Sequence, residues 1–178
     1  MHLAVGTSFS IIIPTSIVSV LTHKKHNSVD LGVIKTYGIF VIIGVIFGTL
    51  VAAFLETNSL VLFFTIIVYC LGTYLLNLQD KTNKLKPNFS LLPRILFGIL
   101  SGTISATMGI GGAVMNVPIL RYFGYTIDKA IGSAAAVGFV ISLFGAVGFI
   151  ISGSFLSSNL PLIIGFVNIP AFLIFIPI

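Results

Sequence analysis

From Ile95 to Leu120 the chain runs 26 residues without a charged side chain, yet this run holds Gly109, Gly111, Gly112 and Pro118. Three glycines within four residues cost a helix roughly 1 kcal/mol each relative to alanine. Pro118 removes one more backbone hydrogen bond and crowds the carbonyl four residues back, at Val114. Hydrocarbon offers no water to the N–H and C=O groups released in this way. Irregular backbone at such depth is tolerated only where protein buries it or where it lines a polar cavity. The chain therefore sets its most irregular backbone in its most apolar surroundings. That contrast marks the Gly-rich stretch as a candidate binding site, with the other helices as its walls.

Composition decides the class. The 178 residues are 57% apolar and 7% charged, with mean hydropathy +1.17, whereas a soluble domain carries about 25% charged residues. So few charges cannot cover a soluble surface. The expected fold class is all-α, a polytopic helical integral membrane protein. A transmembrane β-barrel would alternate over segments of about ten residues, and the long apolar runs here do not. Cys70 is the only cysteine, so there is no intramolecular disulfide and no thiolate metal site. No basic region precedes the first apolar run, which argues against a signal peptide. The net charge of +5 sits in a few loop clusters and reads as topology information, not as a nucleic-acid footprint. Trp is absent. Tyr37, Tyr74, Tyr122 and Tyr125, all near the ends of apolar runs, are the expected interface anchors.

Leu3 to Thr22 is an uncharged run of 20 residues, about 30 Å as a helix and matched to the hydrocarbon core. It is rich in hydroxyls and carries Pro14, an expected helix break together with Pro118. Tyr37 to Leu55 follows, with Gly44-x-x-x-Gly48 as a close-contact face. Leu60 to Asn77 is the third run, Ala130 to Ile151 a later one, and Leu162 to Ile178 the last, after a turn between Ser152 and Pro161. The basic loops 23–36 and 79–94 bracket two spans, and the positive-inside bias puts both in the cytoplasm of an inner-membrane protein. Ile95 to Met108 makes only about 21 Å of helix, short of a ~30 Å core. Two geometries stay open for 95–120: a discontinuous spanning helix or a re-entrant hairpin.

Ala4-Val5-Gly6-Thr7-Ser8 is echoed by Ala130-Ile131-Gly132-Ser133-Ala134, 126 residues on, and Ile43-Gly44 by Ile164-Gly165 at about the same offset. Internal repeats with a site between the halves are common in transporters. The expected organisation is a single transmembrane domain over 1–178, with a first half 1–86 and a second half 87–178. The halves are parallel if 95–120 spans and inverted if it is re-entrant.

These residues resemble the TauE/SafE family of sulfite exporters, also described as sulfonate uptake permeases. The likeness rests on Gly109-Ile-Gly-Gly112 with Val117-Pro118-Ile119-Leu120, on Ala130-x-Gly132-Ser133, and on Ala4-x-Gly6-Thr7-Ser8 followed by Pro14-Thr15 and the basic loop. It covers most of the chain. It implies seven or eight spans in two halves, each opening on a Gly-rich element, and it implies that this chain lacks the first helix and the C-terminal end. Ala113 and Ser133-Ala134 depart from the family pattern, which often has a third glycine and a hydroxyl pair there.

The resemblance implies a small sulfur oxyanion or organosulfonate as substrate. No Arg or Lys lies within a span, so neutral donors must hold it. Backbone N–H groups at a helix restart point at an anion with the positive dipole end. Ser and Thr hydroxyls and the Asn116 amide add donors. The expected substrate site is Gly109, Gly111, Gly112 and Asn116, faced by Ser133, Thr7 and Ser8. The expected function is export of a small anion such as sulfite; the alternative is a non-transporting membrane scaffold or anchor. No dinucleotide or Walker motif, acidic pair or His/carboxylate cluster is visible, so neither an enzyme, a cofactor nor a metal is expected. The expected partners are the anion and the lipid bilayer, without nucleic acid. Homo-oligomerisation stays open.

Overall fold

The computed structural model describes residues 2–77, 90–156 and 162–175. Its elements are α1 (His2–Lys25), α2 (Leu31–Phe54), α3 (Thr57–Asn77), α4 (Leu91–Met108), α5 (Ala113–Tyr122), α6 (Ile127–Leu156), β1 (Ile163–Ile164), β2 (Val167–Asn168) and α7 (Ile169–Phe175). Four helices, α1, α2, α4 and α6, are long and apolar enough to cross a bilayer. The fold is that of an all-α, multi-pass membrane protein. Most of the 79–94 loop lies outside the described residues.

Both faces of these helices are apolar, so burial sorts side chains by size more than by polarity. Leu21, Ile43, Phe47, Phe54, Leu96 and Phe155 face outward, where lipid is as good a solvent as a protein core. Inside, small and hydroxyl-bearing residues let helix backbones approach, around a few large buried side chains, Phe9, Tyr37, Ile141 and Phe149. α2 and α4 run parallel and meet glycine to glycine. A Cβ on Gly48 would lie 2.6 Å from the Thr103 carbonyl oxygen, and one on Gly102 would lie 2.9 Å from the Val45 amide nitrogen. Thr103 Oγ1 donates to the Gly44 carbonyl at 3.1 Å across the same seam. α6 packs antiparallel to α1, with Gly145 against the ring of Phe9. It also packs parallel to α2, with Gly148 against Thr49.

α4 and α5 form a hairpin. Ser101 and Asn116 meet by side chains, and the Phe97 ring lies tilted to Tyr122 at 6.5 Å and edge-on to Phe123 at 5.6 Å. The start of α4 and the end of α5 therefore lie at the same end of the bundle, which is the geometry of the re-entrant alternative. α1 runs opposite to α6, whose first turn carries the echo of its own. The second echo does not share local structure: Gly44 is mid-helix in α2, whereas Ile164 ends β1 and Gly165 begins the turn to β2.

Two expected helix breaks are absent. α1 passes through Pro14 and α5 passes through Pro118 without interruption. A proline removes a single N–H donor, at Pro14 the one that would bond the Ser10 carbonyl, and the helix continues past it. Transmembrane helices carry proline where the surrounding protein tolerates the one freed carbonyl. The interruption lies instead at 109–112. α6 also outruns its expected end, continuing through Ser152, Gly153 and Ser154 to Leu156.

Because the α2–α4 seam leaves no room for a Cβ, Gly102→Leu is expected to cost about 1–3 kcal/mol or more by overpacking. Thermal unfolding in detergent checks this against Gly72→Ala, which meets nothing within 4 Å and should leave the midpoint in place or raise it slightly.

Candidate functional site

α4 ends because Gly109 takes the left-handed conformation, φ 66°, ψ 22°, while its N–H closes onto the Ser105 carbonyl at 3.1 Å. A glycine in this region caps a helix at no Cβ cost. α5 starts at Ala113, preceded by Gly112 without a side-chain cap. The first-turn N–H groups of α5 thus have no acceptor within their own helix. Gly112 rests on Gly138 of α6, with a virtual Cβ 2.7 Å from the Gly138 Cα. Gly138 is 11 residues after Ile127 and 18 before Leu156, roughly 17 and 27 Å along the helix. The tip of the hairpin therefore reaches well into the bundle.

One buried carboxamide holds this turn. Asn116 is fully buried. Its Oδ1 accepts from Tyr37 Oη at 2.7 Å and from Ser101 Oγ at 2.8 Å. Its Nδ2 donates to the Gly112 carbonyl at 2.6 Å. One side chain thus joins α2, α4 and α5 to the last residue of the turn. Tyr37, an expected interface anchor, is instead completely buried, with its hydroxyl spent on Asn116 and near the Phe97 carbonyl. Its position near a run end was the misleading signal, because α2 begins six residues earlier than the apolar run.

The remaining site residues divide into two places. Ser8 Oγ donates to the Gly109 carbonyl at 2.9 Å, and Gly109 packs on Val5. Thr7 Oγ1 donates to the Leu3 carbonyl at 2.6 Å and accepts from the Asn168 amide at 3.0 Å. α1 thus docks two irregular backbones, the glycine turn and the β1–β2 turn, side by side. Asn168, which sequence reasoning missed, also caps α7 by accepting from the Ala171 amide at 3.1 Å. A cavity of about 450 Å³ opens here, lined by Thr7, Ser8, Ile12, Asn168, Ala171 and Phe175 among others. Gly111 faces Ile12, and a Cβ there would sit 3.6 Å from it, an ordinary contact.

Ser133 lies elsewhere. Its Oγ accepts from the Asp30 amide at 2.9 Å, and Gly132 beside it packs against Ser28. Ser133 precedes Gly138 by five residues, about 7.5 Å of helix, so it pins the α1–α2 loop to the base of α6. At this end burial pushes the Tyr125 phenol up from its ordinary pKa of 10.0; the Asp30 carboxylate adds to the rise and the Arg94 guanidinium opposes it. Arg94 at the start of α4 and Tyr125 after α5 are therefore neighbours, as a hairpin requires.

A bundle of apolar helices around a turned, glycine-rich hairpin defines a polytopic helical membrane protein. The family model described as sulfite exporter TauE/SafE matches residues 1–178, and the chain belongs to this family. It is similar to a "Probable membrane transporter protein" of Haemophilus influenzae, 32% identical over 157 residues, covering 86% of this chain and 58% of the relative. It is 29% identical over 178 residues to one of the same description from Methanocaldococcus jannaschii, covering 96% of this chain and 63% of the relative. A third, YdhB of Bacillus subtilis, is 24% identical over 161 residues, covering 86% and 65%. The chain spans about three-fifths of the length of these relatives. No solved structure matches it.

With its two acceptor bonds and its bond to Gly112, Asn116 is a tie of the hairpin. Asn116→Ala is expected to lower stability in detergent by about 1–3 kcal/mol, since it strands buried hydroxyls. Thermal unfolding without any added anion checks this, and an unchanged midpoint would show that the tie carries no load.

Proposed function

We propose that this chain forms part of a secondary transporter that exports a small anion such as sulfite or an organosulfonate, and that the anion passes at the turn of the α4–α5 hairpin. The observation that carries the reading is Gly111. Gly109 needs its left-handed φ and Gly112 needs close contact with Gly138, but a Cβ on Gly111 would meet only an ordinary neighbour. Packing does not call for glycine there, whereas close approach of a ligand to the backbone does. The donors on offer are the N–H groups of the turn and of the first turn of α5, with the positive end of that helix behind them. The protons of Ser8 and Thr7 are already given to carbonyls, so these residues serve the site by holding its walls. The family membership and the relatives' descriptions as membrane transporters support transport as the activity.

A site of neutral donors binds weakly and releases readily, which suits passage more than capture. With an inside-negative potential, anion export runs downhill by ~2.3 kcal/mol per charge per 100 mV. The test is sulfite flux in proteoliposomes. Wild type should show saturable flux, and Gly111→Leu should insert normally but lose at least about tenfold in rate, equivalent to ~1.4 kcal/mol. Flux that survives Gly111→Leu would remove the turn from the pathway. Absence of flux from the wild type would favour a scaffold.

A further inference from the structure

Hydroxyls in these helices behave in two ways. Thr22, Thr49, Thr65, Thr107 and Ser142 donate to a carbonyl three or four residues back, the usual resort of Ser and Thr inside a helix. Several around the hairpin instead reach across elements: Ser8 to Gly109, Ser101 to Asn116, Thr103 to Gly44. Ser105 does neither. Its Oγ is buried, at 1% residue exposure, and has no hydrogen-bond partner.

Helix periodicity gives its direction. Ser101 and Ser105 are four residues apart and share a face of α4. On that face Ser101 meets Asn116. The amide nitrogen and Nδ2 of Asn116 both bond to the carbonyl of Gly112, one turn nearer the tip. Ser105 is likewise one turn nearer the tip than Ser101, so its hydroxyl faces the first turn of α5. That turn has no side-chain cap, and its amides have no acceptor in the helix. An unspent hydroxyl proton and the first-turn amide protons of α5 thus lie at one level of the hairpin, with no carboxylate in the described part of either helix to oppose a negative charge.

The geometry points to Ser105 as a substrate-contacting residue, whose hydroxyl joins the first-turn amides of α5 in donating to one small oxyanion on the α4 side of the turn. This rests on the transport reading above. Among the hydroxyls expected or found near the turn, Ser8, Thr7 and Ser101 have their protons committed. Ser105 alone among them has a donor to give.

The test compares wild type, Ser105→Ala, Ser105→Thr and Ser101→Ala, with sulfite as the probe. Without anion, Ser105→Ala should melt with wild type, because no protein partner is lost, whereas Ser101→Ala should melt lower. With sulfite, Ser105→Ala should need roughly tenfold or more anion for the same rise in melting midpoint, and should show the same increase in KM for flux, as expected for losing a hydrogen bond to a charged group. Ser105→Thr should restore both. Flux in wild type with an unchanged KM in Ser105→Ala overturns the assignment and leaves the transport reading intact. Sulfite binding that depends on Ser105 in a wild type without flux overturns transport and keeps the contact. An anion-free loss of midpoint equal to that of Ser101→Ala overturns the contact. No effect of sulfite on wild type by either measure overturns both.

Discussion

The carboxamide of Asn116 is the bond on which the hairpin depends. A helix that stops inside apolar surroundings must satisfy its open ends from within the protein, because lipid offers nothing. α5 is only 10 residues long and has little surface of its own to bury. Asn116 joins it to α4 through Ser101, to α2 through Tyr37, and to the turn through the carbonyl of Gly112. Each such bond is worth about 0.6–2 kcal/mol in a membrane bundle. Three of them on one side chain, fully buried, set both the depth of the turn and the spacing of the helices around it.

The glycines then separate into kinds that composition alone merges. Gly44, Gly48 and Gly102 are contact residues, where backbone meets backbone along the α2–α4 seam. Gly112 is another, set against Gly138. Gly109 is conformational: its positive φ caps α4. Gly111 is neither: a Cβ there would meet only Ile12, at an ordinary distance. Small residues inside and large ones outside also explain why a helix with no polar side still has a defined inward face.

Much of this was legible in the sequence. Low charge and long apolar runs announce a helical membrane protein, and Gly44-x-x-x-Gly48 announces a tight seam. The glycine cluster marks where α4 ends, and Ser8 does meet that cluster. Other features were not legible for physical reasons. Each proline costs only one donor, and α1 continues past Pro14 and α5 past Pro118, so neither residue marks an interruption. Ser133 echoes Thr7 in sequence, yet it sits at the far end of α6 because α6 runs opposite to α1. Tyr37 looked like an anchor, and only the packing of α2 on α4 shows its hydroxyl turned inward. The lone hydroxyl of Ser105 could not be read at all, since its meaning lies in a missing partner.

The central claim is that the chain enters the bundle along α4, turns at Gly109–Gly112 and returns to the end from which it came. Single cysteines at Ser90 and Thr126, both exposed, in a Cys70→Ser background, test it by labelling sealed vesicles with a membrane-impermeant thiol reagent. Both positions should react from the same side of the membrane. Labelling from opposite sides would mean that 95–120 crosses, and the hairpin with its inward-facing turn would be contradicted.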